Sequence, residues 1–154
     1  MPAPPETSVR RPEVTLQVTR GVTRLLSNLG WCHVTEMPLR SGRRVDVMAL
    51  DASGEIAIVE VKSDLADYRA DGKWHEYLEF CDRFYFAVAP DFPREFLPHD
   101  PHCGLILADH YDAVIFREAE ASKLAAARRK ALTLKLARTA ARRLAALLDA
   151  PLMS

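Results

Sequence analysis

Val14, Val18, Val22, Leu25, Leu26 and Leu29 recur at three- and four-residue steps. That spacing lays a single apolar stripe along a helix. Pro12 suits its first turn, where a missing N–H has no partner to lose, and Gly30 suits its end. The pattern then shortens toward period two. Trp31–Leu39, Arg44–Leu50 and Glu55–Val61 read as strands, broken by Ser41-Gly42 and by the tight loop Asp51-Ala52-Ser53-Gly54. Residues 64–82 offer Leu65, Tyr68, Trp74, Tyr77, Leu78 and Cys81 to an inner face, which predicts a helix with a weak point at Gly72. Arg83–Ala89 is a β-favouring run and predicts a buried fourth strand. A loop over 90–101 with one helical turn, short strands at 105–108 and 113–116, and a long helix over 121–148 complete the pattern.

The order is α-β-β-β-α-β, then two short strands and a terminal helix. Three strands joined by short turns are antiparallel neighbours, while the helix before the fourth strand allows a parallel crossover. The expected fold class is α/β: a mixed sheet flanked by helices. The division expected is a proline-rich flexible tail over 1–11, a domain over 12–118 and a basic helical arm over 119–154.

Charge changes this picture. Lys+Arg and Asp+Glu are 21 each, for a net charge of zero, yet residues 123–148 hold eight basic residues and no acid. An acidic body therefore carries a +8 arm. On the terminal helix Leu134, Ala137, Ala141, Leu144 and Leu148 form a stripe expected to dock on the domain or a partner, with Lys135, Arg138 and Arg142 roughly opposite. Arg40, Arg43 and Arg44 extend the basic track. The track suits phosphate, and the alanine-rich stripe without aromatics argues against a membrane. Three cysteines, Cys32, Cys81 and Cys103, with no C-x-x-C pair argue against structural zinc and fit a reducing, cytoplasmic setting.

Two polar interruptions carry the candidate chemistry. In the third strand, alternation puts Glu60 and Lys62 on the face of Ile56 and Ile58, about 7 Å apart. Burying such charges is costly unless they are paired or bound to a metal. Asp46 interrupts the preceding strand. Setting Asp46 opposite Glu60 makes Leu50 face Ile56 and leaves a five-residue loop, an ordinary length. The two carboxylates then stand about 5 Å apart at Cβ. They repel unless a cation sits between them, and oxygen ligands suit Mg2+ or Mn2+. An acid two before a lysine is common by chance, so solvated strand ends are the competing reading.

Asp46, a short hairpin and Glu60-Val61-Lys62 resemble the PD-(D/E)XK nuclease superfamily, whose core has the α-β-β-β-α-β order. Ser41-Gly42-Arg43-Arg44-Val45-Asp46, Val59-Glu60-Val61-Lys62-Ser63 and Ala70-Asp71-Gly72-Lys73-Trp74-His75-Glu76-Tyr77 resemble the MmcB family of bacterial DNA repair proteins, over about residues 12–118. The resemblance implies Mg2+ or Mn2+ held by Asp46, Glu60 and the Val61 carbonyl, with Lys62 positioning the attacking water. It sets Lys73 and Tyr77, four apart, at the place of a Gln-x-x-x-Tyr pair facing the site. It also implies one further glutamate, Glu13 or Glu36, although either suits a surface role as well. DNA is the expected partner, contacted by Arg43, Arg44, Arg129, Lys135, Arg138 and Arg142, with other repair proteins as further partners. The expected activity is metal-dependent DNA hydrolysis in repair. The alternatives are a DNA-binding scaffold on the nuclease fold and an adaptor whose terminal helix binds an acidic protein.

Overall fold

The computed structural model describes residues 11–150, so most of the expected N-terminal tail lies outside the described residues. The elements are α1 (Arg11–Asn28), β1 (Cys32–Pro38), β2 (Arg44–Leu50), β3 (Ile56–Val61), α2 (Leu65–Ala70), a 3-10 helix (Trp74–Phe80), β4 (Arg83–Val88), β5 (Cys103–Ala108), β6 (Ala113–Arg117) and α3 (Ala126–Leu148). The six strands follow chain order across one mixed sheet. β1, β2 and β3 are antiparallel neighbours, β3 to β5 run parallel, and β6 returns antiparallel. The expected α/β class is the observed one.

The sheet is covered on both faces. Val18, Val22 and Leu26 of α1 pack with Val47, Ala49, Val59, Ala87 and Ile106. On the other face Trp74, Tyr77, Phe80, Leu132 and Leu136 pack with Met48, Ile58 and Phe84. Every residue of β3 is buried, which explains its nearly unbroken apolar run. Gly30 ends α1 at φ +85°, a conformation glycine adopts without a Cβ clash.

The helix expected over 64–82 is two pieces. Asp64 caps α2 by accepting from Asp67 N–H at 2.8 Å, and the Asp67 carboxylate returns to Ser63 N–H at 2.9 Å. Together these two bonds fix the start of α2. At the other end Asp71 leaves the helix to meet Lys62, with Gly72 following, and the chain re-enters as a tighter 3-10 turn.

The terminal helix also differs from expectation. It starts at Ala126, and its inward face is Leu132, Leu136 and Thr139. The Leu134, Ala137, Ala141, Leu144 and Leu148 stripe is exposed. Two arginines impose this rotation. Arg129 donates to both Asp82 oxygens, at 2.5 and 2.7 Å, and to the Gly54 carbonyl at 2.7 Å. Arg143 donates to the carbonyls of Thr35 and Glu36 on β1. Asp82 also accepts from Ile56 N–H at 2.8 Å and Leu124 N–H at 2.9 Å, so one carboxylate ties β3, the approach to α3 and α3 itself.

Candidate active site

The hairpin register decides where the acids meet. Leu50 faces Ile56 and Val47 faces Val59, and the same register carries Asp46 opposite Glu60. There the ladder gives way to side chains. Glu60 Oε1 accepts from the Asp46 backbone N–H at 2.9 Å, and Asp46 Oδ2 accepts from Val61 N–H at 2.7 Å. The carboxylates wedge open the strand ends and replace the ladder bonds they displace. N–H and C=O of one extended residue point to the same edge, so the Val61 carbonyl faces this gap too.

Strict alternation fails at this point. Val45 and Met48 pack in one layer, while Val47 and Ala49 pack in the other. β2 therefore turns about its axis at Asp46. β1 does the same at Glu36, between Val34 and Met37. Glu36 has φ +50°, the one positive value among described residues other than glycine. Such a backbone costs about 1–3 kcal/mol and persists where its surroundings hold it. Arg143 grips the chain at this residue. Thr35 faces Val47 and Met37 faces Val45, so Glu36 sits across from Asp46. Three acids, Glu36, Asp46 and Glu60, thus fall in line across three adjacent strands. Glu36 and Asp46 share a groove of about 730 Å³ beside α1, with Arg11, Thr15, Thr19 and Arg20 on its walls. Glu13 is exposed on α1 and is not part of that lining.

Burial governs the electrostatics. Glu60 is 4% exposed. Burial first, then the Asp46 charge, push its carboxyl up to about 8. Burial also raises Asp46, against the lowering effects of the Val61 N–H and the Lys62 charge. Lys62 is 6% exposed, and its Nζ lies 3.1 Å from Asp71 Oδ2. Burial alone would raise Asp71, but the Lys62 hydrogen bond and charge outweigh it and hold the carboxyl below its usual value. Asp71 was not singled out from the sequence. Its place in an Asp-Gly helix break is the signal that marks it.

Tyr77 is buried behind Glu60, and burial followed by the Glu60 charge raises its phenol. Lys73 is exposed and precedes the first turn of the 3-10 helix. With three residues per turn, positions four apart do not share a face. The expected Lys73–Tyr77 pair is therefore not formed. Arg43 takes the place beside Tyr77: it lies 2.8 Å from Glu76, 3.6 Å from Asp71 and 5.4 Å above the Tyr77 ring. Its guanidinium and that of Arg129 are thus engaged within the protein. Arg44, Arg138 and Arg142 are exposed, and Lys135 lines a groove with Arg40, Arg128 and Phe80.

A pH dependence follows from Glu60. The folded chain holds its proton more tightly than the unfolded chain does. Stability in metal-free buffer should therefore fall as pH rises from about 4.5 to about 8. Urea titrations across this range should show that slope, and Glu60→Gln should flatten it. An unchanged slope in the variant would remove Glu60 as its source.

The donor set here is carboxylate oxygen, hard and anionic, which suits Mg2+ or Mn2+ better than zinc. The backbone engages neither Asp46 Oδ1 nor Glu60 Oε2, and the two carboxyls lie close enough to hydrogen-bond each other. Among those residues no group of three or more His, Cys, Asp or Glu side chains forms a ready cage. No helix of the described chain is long and apolar enough to cross a membrane.

A mixed sheet with acids wedged into the open end of its central hairpin defines the class of fold and site. A family model described as DNA repair protein MmcB-like matches residues 2–151. The chain belongs to the MmcB-like DNA repair protein family. A solved structure from Silicibacter pomeroyi, of a protein of unknown function, is 49% identical, with a TM-score of 0.84 over 92% of this chain and 95% of that one. A repair endonuclease from Pyrococcus abyssi matches at 23% identity over 44% of this chain and 36% of its own, with a TM-score of 0.31. Similarity that low carries no argument about fold or chemistry. No curated protein matches the chain significantly.

Proposed function

We propose that this DNA repair family member is a PD-(D/E)XK-type nuclease that hydrolyses DNA phosphodiester bonds with Mg2+ or Mn2+. The observation that carries this reading is the Asp46–Glu60 pair. Two neighbouring carboxylates are buried at a strand end, each with one oxygen engaged by backbone and one left over. Without a cation the pair avoids repulsion by keeping a proton on Glu60, and a dication would take that proton's place.

Asp46 and Glu60, with the Val61 carbonyl, would hold the metal. When bound, it supplies Lewis acidity toward a phosphoryl oxygen and lowers the pKa of a water. Lys62 brings a positive charge to the same edge, where it orients the water and offsets negative charge that builds on the phosphoryl oxygens. Asp71 positions the Lys62 ammonium. Glu36, rather than Glu13, is the third acid, since it lines the groove that Asp46 enters. DNA enters along this groove, past Arg11 and Arg20, and the exposed Arg44, Arg138 and Arg142 add phosphate contacts beyond it.

A DNA-binding scaffold without cleavage is the second reading, favoured by the Lys62–Asp71 ion pair, which occupies the amine. Nicked, branched and single-stranded DNA with Mg2+ or Mn2+ separates the two. Cleavage that vanishes in Asp46→Asn while binding persists supports the nuclease, and cleavage that survives the change contradicts it. Arg138→Ala with Arg142→Ala should weaken binding to all sequences alike and lower the salt slope by about two.

A further inference from the structure

The face of α3 turned away from the domain is the largest feature that the proposed cleavage leaves unused. Leu134, Ala137, Ala141, Leu144 and Leu148 alternate steps of three and four and form a seam about 21 Å long. Leu134 is 59% exposed, Leu144 57% and Leu148 77%. The seam cannot fold back on the domain, because the opposite face is already docked through Leu132, Leu136, Arg129 and Arg143. At its N-terminal end it runs into an apolar groove of about 800 Å³ lined by Gly54, Lys123, Leu124 and Thr133.

We propose that this seam docks an acidic amphipathic helix of a protein partner. Charge selects the occupant. Lys130 lies on the seam, Arg138 sits at one edge a turn beyond Leu134, Arg142 lies farther round toward the opposite face, and no acid occurs between residues 123 and 148. A second copy would set these cations against one another, which is unfavourable. DNA would use the arginines but gains nothing from exposed leucines. A helix with leucines facing the seam and glutamates along its margins satisfies both features, in the helix-in-groove manner. This inference does not depend on cleavage at Asp46 and Glu60.

The test uses the full chain and a labelled 21-residue helical peptide with leucine at the two heptad seam positions and glutamate flanking them. The same peptide with lysine flanks is the control. Fluorescence anisotropy should show the acidic peptide binding at least tenfold tighter than the basic one. Leu144→Ser with Leu148→Ser should weaken it at least tenfold, and Arg138→Ala with Arg142→Ala should weaken it and its salt dependence. All four side chains are exposed, so the unfolding transition should stay in place. Equal binding of both peptides, no binding, or no response to the leucine changes would overturn the proposal. So would a wild-type dimer that becomes monomeric in the leucine variant. Loss of DNA or anionic phosphatidylglycerol vesicle binding in that variant, with peptide affinity kept, would overturn it as well.

Discussion

Asp82→Ala is expected to destabilise the protein by roughly 3–5 kcal/mol, the usual result of stripping one partner from a buried ion pair. Asp82 is 4% exposed, and its two oxygens receive both backbone N–H groups and the paired Arg129 contacts described above. Removing it strands a guanidinium and two amides and releases the near end of α3. Burial alone would raise Asp82, but Arg129 and the backbone donors outweigh it and hold the carboxyl below its usual 3.8. Its contribution is therefore complete above about pH 4 and fades as pH falls through the depressed value. Urea unfolding measures the loss, with exposed Arg138→Ala as the control expected within about 0.5 kcal/mol of the parent. A loss under 1 kcal/mol for Asp82→Ala would contradict the role given to this carboxylate.

Asp46→Asn is expected to lower the cleavage rate on DNA by about 10^3-fold or more, the scale of effect seen when charge stabilisation in a reaction centre is lost. Asparagine keeps the oxygen that accepts from Val61 N–H and removes the negative charge. The fold should therefore persist and the metal affinity should fall. Lys62→Met should lower the rate by about 10^2-fold or more with little change in DNA affinity. A rate that falls only in proportion to DNA binding would point to the scaffold reading instead.

The sheet was legible in the chain. Period-two alternation and the short Asp51–Gly54 loop leave few registers for β2 and β3, and the observed Leu50–Ile56 pairing is the expected one. The strand order follows from connection length, and Gly30 marks a helix end by its backbone freedom. Other features were set by contacts distant in sequence. Residues 64–82 have helical spacing throughout, but the pull of Lys62 on Asp71 splits them and removes Lys73 from the side of Tyr77. α3 carries two apolar stripes, and periodicity alone does not choose between them. Arg129 to Asp82 and Arg143 to β1 make the choice, and the stripe richer in leucine faces outward. The turn of β1 and β2 at Glu36 and Asp46 left no trace in the pattern, because Asp46 read as a polar interruption and Glu36 as a strand-end acid.

A dication shared by Asp46 and Glu60 is the proposed centre of the site. Crystals soaked in Mn2+ and measured near the manganese absorption edge test this most directly. The expected result is one anomalous peak bridging the Asp46 and Glu60 carboxylates, at about 2.1–2.2 Å from their oxygens, and no peak there in Asp46→Asn. A map with no peak at that strand end, or with manganese bound only elsewhere, would contradict it.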